Sequence, residues 1–145
     1  MPEKKTIERA RKAKREGKAP STQAGEFVRE EIEHIREGKH GAKNTKQAIA
    51  IGLSKARRSG VKLPAPKKGT TSERTRKQAK RDTAKASSTR KKSPKRARAA
   101  KKALSRAPRS AASTRALSRQ ARQAAPRRRK RTAGTSRSRT KRAAA

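Results

Sequence analysis

Apolar residues along this chain follow a helical rhythm in its first part and almost vanish in its second. From Asn44 to Gly60 the residues read NTKQAIAIGLSKARRSG, and Ala48, Ile49, Gly52, Leu53 and Ala56 recur at the three- and four-residue steps of one helical face. Asn44 suits the N-cap, and Gln47 three residues on suits the capping box. Lys55, Arg57 and Arg58 match the negative end of the helix dipole, Gly60 matches the C′ position, and Pro64 and Pro66 forbid continuation. Small residues at 48, 52 and 56 predict close approach by another helix, and Val61 and Leu63 are expected to fold back over the pair.

That other helix is predicted upstream, over about 22–37. Ala24, Phe27, Val28, Ile32 and Ile35 form its apolar arc, and the hydroxyls of Ser21 and Thr22 are expected to cap it. Glu26, Glu30, Glu33 and Glu37 fall together on the far side. Two readings of that acidic face stand: a solvated face supported by Arg29–Glu33 and Glu33–Arg36 pairs, or a docking strip for the chain's own basic tail. Gly38-Lys39-His40-Gly41 is a short connection that makes the two helices neighbours. Before them, residues 1–18 read either as a short helix with Thr6 as cap, Ile7, Ala10 and Ala13 on one side and Gly17 as terminator, or as a solvated basic arm.

Of the 13 Met, Ile, Leu, Val and Phe residues only Leu104 and Leu117 lie beyond Leu63. Charge changes at the same place. Residues 1–63 carry 17 basic and 8 acidic groups, and residues 64–145 carry 30 basic and 2 acidic groups, so the tail alone is net +28. Like charge without apolar area cannot offset the entropy of ordering a backbone, which predicts a disordered tail, with 71–86 and 97–107 able to turn helical once phosphate neutralises them. The expected fold is all-α: a basic N-terminal arm or short helix (1–19), a marginal helical hairpin (20–63) and a long disordered Lys/Arg/Ala/Ser-rich tail (64–145).

Such a tail calls for a polyanion. Each phosphate neutralised releases a counterion, which favours nucleic acid, DNA ahead of RNA. No membrane partner is expected, because no apolar run approaches the roughly 20 residues needed to span a bilayer and surface-binding helices need bulky apolar residues that the tail lacks. The absence of cysteine excludes disulfides and thiolate sites, and with no leader-like apolar segment after Met1 the expected location is the cytoplasm, at the nucleoid. His34 and His40 are the only histidines, no spaced carboxylates complete a metal site around them, and both read as surface residues. No phosphate-cradling glycine motif and no nucleophile with a positioned base is present, so neither a catalytic residue, a metal nor a cofactor is expected. With one Phe and no Trp or Tyr, base stacking of the kind single-strand binders use is excluded.

Candidate contacts follow from that chemistry. On the polar side of the Asn44 helix Gln47, Ser54, Arg57 and Arg58 are expected to be exposed together, with Lys43 and Lys46 at its N-terminal end. This is the chemistry of a helix-turn-helix recognition helix and equally of a nonspecific phosphate contact. In the tail, Lys91 and Lys92 precede Ser93-Pro94-Lys95-Arg96, which resembles the minor-groove SPKK element of linker-histone tails; Lys95 and Arg96 are its cations. Arg127, Arg128, Arg129, Lys130 and Arg131 form a dense phosphate-neutralising cluster that also resembles a nuclear import signal.

The run from Ala24 to Gly69, AGEFVREEIEHIREGKHGAKNTKQAIAIGLSKARRSGVKLPAPKKG, resembles a family of small basic bacterial proteins that carry a domain of unknown function. The resemblance covers about the first half of the chain and implies a bacterial source, with no activity or site residues attached. The tail is similar in composition to those of linker histones and bacterial histone-like proteins. Nonspecific, histone-like DNA binding and compaction is the expected function, with self-association through the helical unit. The alternatives are a ribosome-associated RNA-binding protein and an adaptor whose acidic face recruits a protein partner.

Overall fold

A computed structural model describes residues 2–88 and 93–125. Among them six helices form: α1 (Lys4–Arg15), α2 (Pro20–Arg36), α3 (Thr45–Arg58), α4 (Glu73–Ala84), α5 (Pro94–Ser105) and α6, which runs from 114 to 125 at the edge of the described residues. No strand occurs among the described residues, only an isolated bridge between Lys68 and Thr71.

The predicted pair α2 and α3 is the centre of the fold. Asn44 caps α3 by accepting from the Gln47 amide at 2.8 Å, while the Gln47 side chain accepts from the Lys43 amide at 2.7 Å, one residue earlier than a standard capping box. α2 differs from expectation: Pro20 opens it, Ala19 is the N-cap, and no side chain caps it. The two helices meet at Gly52, where a Cβ would stand 2.6 Å from Val28 Cα and 3.0 Å from the Phe27 carbonyl oxygen. Ala48 and Ala56 on either side of Gly52 are fully buried, so the spacing of small residues sets the approach distance.

Apolar burial is divided between two clusters. Phe27, Ala24, Ala56 and Val61 gather around one end of α2 with Ala10 of α1; Ile7, Leu53 and Leu63 close over them. Ile35, Ala42, Ala48 and Ile32 gather at the other end. Ala56 sits with Ala24 and Ala48 with Ile35, so α3 runs back along α2. α1 is a docked helix, not a solvated arm: Thr6, Ala10 and Ala13 are buried and Gly17 ends the element at φ +70°. Thr6 does not cap it; Glu3 is the N-cap residue.

Six helices replace the two or three expected. Three lie beyond Pro64, in a segment that sequence composition leaves without a means of packing. Two devices fasten it. Asp82 of α4, 2% exposed, is held by α3: Arg58 donates to Asp82 Oδ1 from Nε (3.0 Å) and a terminal nitrogen (2.8 Å), and Ser54 Oγ donates to Oδ2 at 2.7 Å. Residues 104–112 cross the α2–α3 connection as a strap. Gly41 and Ala42 donate their amides to the carbonyls of Leu104 (2.8 Å) and Pro108 (3.1 Å), and Thr45 Oγ1 and Arg36 Nε donate to those of Ala111 (2.7 Å) and Ala112 (2.9 Å). Ala111 and Ala112 thereby complete the second cluster. Among its described residues the tail buries one acid and three small residues, Ala79, Ala111 and Ala112, so it needs little apolar area.

Candidate nucleic-acid interface

The cations singled out on α3 divide sharply. Lys43, Lys46 and Gln47 are exposed at the N-terminal end, where unsatisfied amides and the helix dipole favour anions. There an open groove runs between the start of α3 and α6, lined by Lys43, Lys46, Arg119, Asn44, Gln120 and Gln123 among others. Three cations and several amide side chains along one groove suit a phosphate-bearing strand. The sequence pointed to Lys43 and Lys46; Arg119, Gln120 and Gln123 escaped it, because nothing local signals that α6 returns to the α3 N-terminus.

At the other end of α3 the expected set is only partly open, with Arg58 exposed and Ser54 half-buried. Arg57 is buried, with Nε lacking a hydrogen-bond partner and a terminal nitrogen 3.4 Å from the Pro64 carbonyl. Burial lowers its pKa, and Asp82 opposes that shift. Arg58 and Ser54 are both spent on Asp82. The departure has a simple cause: α4 and the Val61–Pro64 segment cover the face that a two-helix unit would leave open.

Lys95 and Arg96 lie exposed in the first turn of α5, which Pro94 opens, so Ser93–Arg96 is a helix start. Lys91, Lys92 and Arg127, Arg128, Arg129, Lys130 and Arg131 lie outside the described residues. α5 as a whole has no buried residue and no acid, and its five cations (Lys95, Arg96, Arg98, Lys101 and Lys102) are exposed.

The acids are placed differently. The predicted Arg29–Glu33 pair forms at 2.9 Å, but Arg36 turns to the strap instead of Glu33. Glu30 is buried: its Oε2 accepts from the Glu3 amide at 3.2 Å and its Oε1 lies 3.6 Å from Lys55 Nζ. Glu26 faces Arg9 of α1 at 4.0 Å, and Glu37 pairs with Lys39 at 2.9 Å. The acidic face is therefore solvated at Glu33 and Glu37, half-buried at Glu26 and closed by α1 and Lys55 only at Glu30, and among the described residues the ion-pair partners of these four acids all precede α4. His34 and His40 also depart from expectation, with side chains only 14% and 19% exposed, both standing beside fully buried Glu31. The short connection folds His40 back against α2, which sequence spacing alone does not reveal.

Residues 3–68 match the model of a family described as a family of unknown function (DUF6496). The matched stretch takes in α1, α2 and α3 and stops before α4. No match was found among curated proteins or among solved structures. No helix among the described residues is long and apolar enough to cross a membrane.

Proposed function

We propose that this protein binds nucleic acid, duplex DNA foremost, by neutralising phosphates without reading base sequence, and that it compacts the bound duplex in the manner of a histone-like nucleoid protein. The observation that carries this reading is α5, whose five cations are exposed on a helix with no acid and no buried side. Those cations have no acid on their own helix to pair with, and they gain free energy by releasing counterions from a polyanion. The groove of Lys43, Lys46 and Arg119 supplies a second contact, and a protein with two such surfaces can hold two duplex segments together. The internal use of Arg57 and Arg58 favours nonspecific contact over base readout, since the α3 cations best placed along a recognition helix serve the fold.

The test is binding of the full chain to unrelated duplexes and to a structured RNA across a salt series. A steep linear fall of log affinity with log salt, equal for every duplex and weaker for the RNA, is the expected result. A shallow slope, or one duplex held far more tightly than the others, overturns it. Preference for the RNA would move the reading to a ribosome-associated role.

A further inference from the structure

One part of this cationic molecule gathers negative charge and imidazole instead. Glu31, His34 and His40 bring a carboxylate oxygen and two ring nitrogens within 4.8 Å of one another. Glu31 is 1% exposed at its side chain, and neither of its oxygens has an aligned hydrogen-bond donor. Lys55 Nζ stands 2.6 Å from Oε2, which leaves Oε1 to His40 Nε2 at 3.2 Å.

His40 Nδ1 lies 3.2 Å from the Gly41 carbonyl oxygen, an acceptor only, so that nitrogen carries the ring proton. In the neutral ring Nε2 then turns a lone pair toward the Glu31 oxygen. Two acceptors facing each other at this distance require a positive centre, either a second ring proton or a metal ion. Ligands bonded tetrahedrally at about 2.0–2.1 Å from one ion are separated by about 3.4 Å, close to the 3.2 Å between Glu31 Oε1 and His40 Nε2, and a His34 nitrogen lies within 4.8 Å of both. His34 stands edge-on to His40, with ring centroids 6.2 Å apart, and its Nε2 is held by Glu3 Oε1 at 2.8 Å. A carboxylate on the second nitrogen is the usual means of orienting a metal-binding imidazole.

Charge points the same way. Buried Glu30 and Glu31 share the single cation Lys55, so with neutral imidazoles one negative charge is left uncompensated beside the two rings. A bound cation offsets it. Two nitrogens and one oxygen favour the zinc class over magnesium or calcium, which prefer all-oxygen shells.

We infer that Glu31, His34 and His40 form a binding site for one divalent transition-metal ion of the zinc class, tying α2 to the α2–α3 connection, with Glu3 orienting His34. This site is separate from the nucleic-acid surface and is measured without nucleic acid.

The experiment uses the full chain without an affinity tag, stripped by chelator and freed of nucleic acid. Zinc chloride is titrated calorimetrically, with magnesium and calcium chloride as comparisons, and cobalt(II) is followed by visible absorption. Expected are one zinc per chain, a thermal midpoint that rises with zinc and not with magnesium or calcium, and affinity about tenfold or more weaker in His34→Ala and His40→Ala. Unchanged zinc affinity in the folded His34→Ala/His40→Ala double variant, or no saturable binding, overturns the site. Should the variants fail to fold, wild-type cobalt(II) decides. Intense absorption bands of a low-coordinate, nitrogen-ligated ion support the site, and a spectrum like that of the hydrated ion overturns it.

Discussion

Arg58 on α3 grips Asp82 on α4 through two hydrogen bonds to one carboxylate oxygen, at 2.8 and 3.0 Å, and so joins the two halves of the chain. Ser54 and Gln78 complete the shell of Asp82, at 2.7 and 3.1 Å. Arg58 is 38% exposed at its side chain and remains solvated without its partner, whereas Asp82 is buried. Asp82→Ala is expected to cost about 1–3 kcal/mol in the docking of α4. Arg58→Ala costs more, because it strands a buried carboxylate, up to the point where α4 detaches. Hydrogen exchange over 73–84 checks both: protection falls there first, while α2 retains it.

At Gly52 the expected effect of alanine is loss of stability despite better helix propensity. A Cβ 2.6 Å from Val28 Cα forces the helices apart. Overpacking of about 1–3 kcal/mol outweighs a propensity gain of about 1 kcal/mol. Urea unfolding of Gly52→Ala should give a lower midpoint; an equal or higher one would show that the helices do not touch at this point.

Gly41 bears on the strap in the same way. A side chain there meets the carbonyl oxygens of Ala107 and, at 2.8 Å, Pro108. Gly41→Ala is expected to release residues 104–112, seen as faster exchange and new protease cleavage in that segment, with α1 to α3 still folded.

Substituting Lys43, Lys46 and Arg119 together with Gln should lower the salt slope of DNA binding by up to about 0.9 for each phosphate no longer neutralised, uniformly across duplex sequences. A slope that stays at the wild-type value would remove the groove from the binding surface.

Glu3 links stability to acid. Its pKa lies below the ordinary 4.5, first through the hydrogen bond with His34 and then through Lys39. A depressed carboxylate pKa stabilises the fold above the unfolded value, and that contribution fades as pH falls through the lower folded value. Wild-type protein should therefore exceed Glu3→Gln in thermal midpoint at pH values above the ordinary 4.5, and the difference should shrink progressively below it. A difference that is constant through this range would disconnect Glu3 from the fold.

Both central helices could be read from residue patterns because their information is local: the apolar arc from Ala24 to Ile35, the Asn44 cap, and the small residues at 48, 52 and 56 each lie within one element. What escaped is long-range. Asp82 is one of two acids in a basic segment, and its worth depends on Arg58, 24 residues away. Ala111 and Ala112 are indistinguishable in sequence from the other alanines of the tail until the strap lays them on Ile35 and Ala48. Arg57 was expected outside because a helical wheel knows nothing of Pro64, and Glu30 because it knows nothing of α1 and Lys55. For the interface, the α3 end carrying Lys43 and Lys46 was legible and the opposing α6 wall was not.

The strap is gripped by its carbonyl oxygens at Leu104, Pro108, Ala111 and Ala112, and these four bonds use no strap side chain. Every residue type offers that same oxygen. Such a latch is indifferent to spelling: it asks for a path of the right length, a carbonyl at each of four places and two side chains small enough to slip under. Ser105, Arg106, Arg109 and Ser110 in this stretch are thus free to interchange, so a region that looks like interchangeable low-complexity text can still occupy one defined place in the fold.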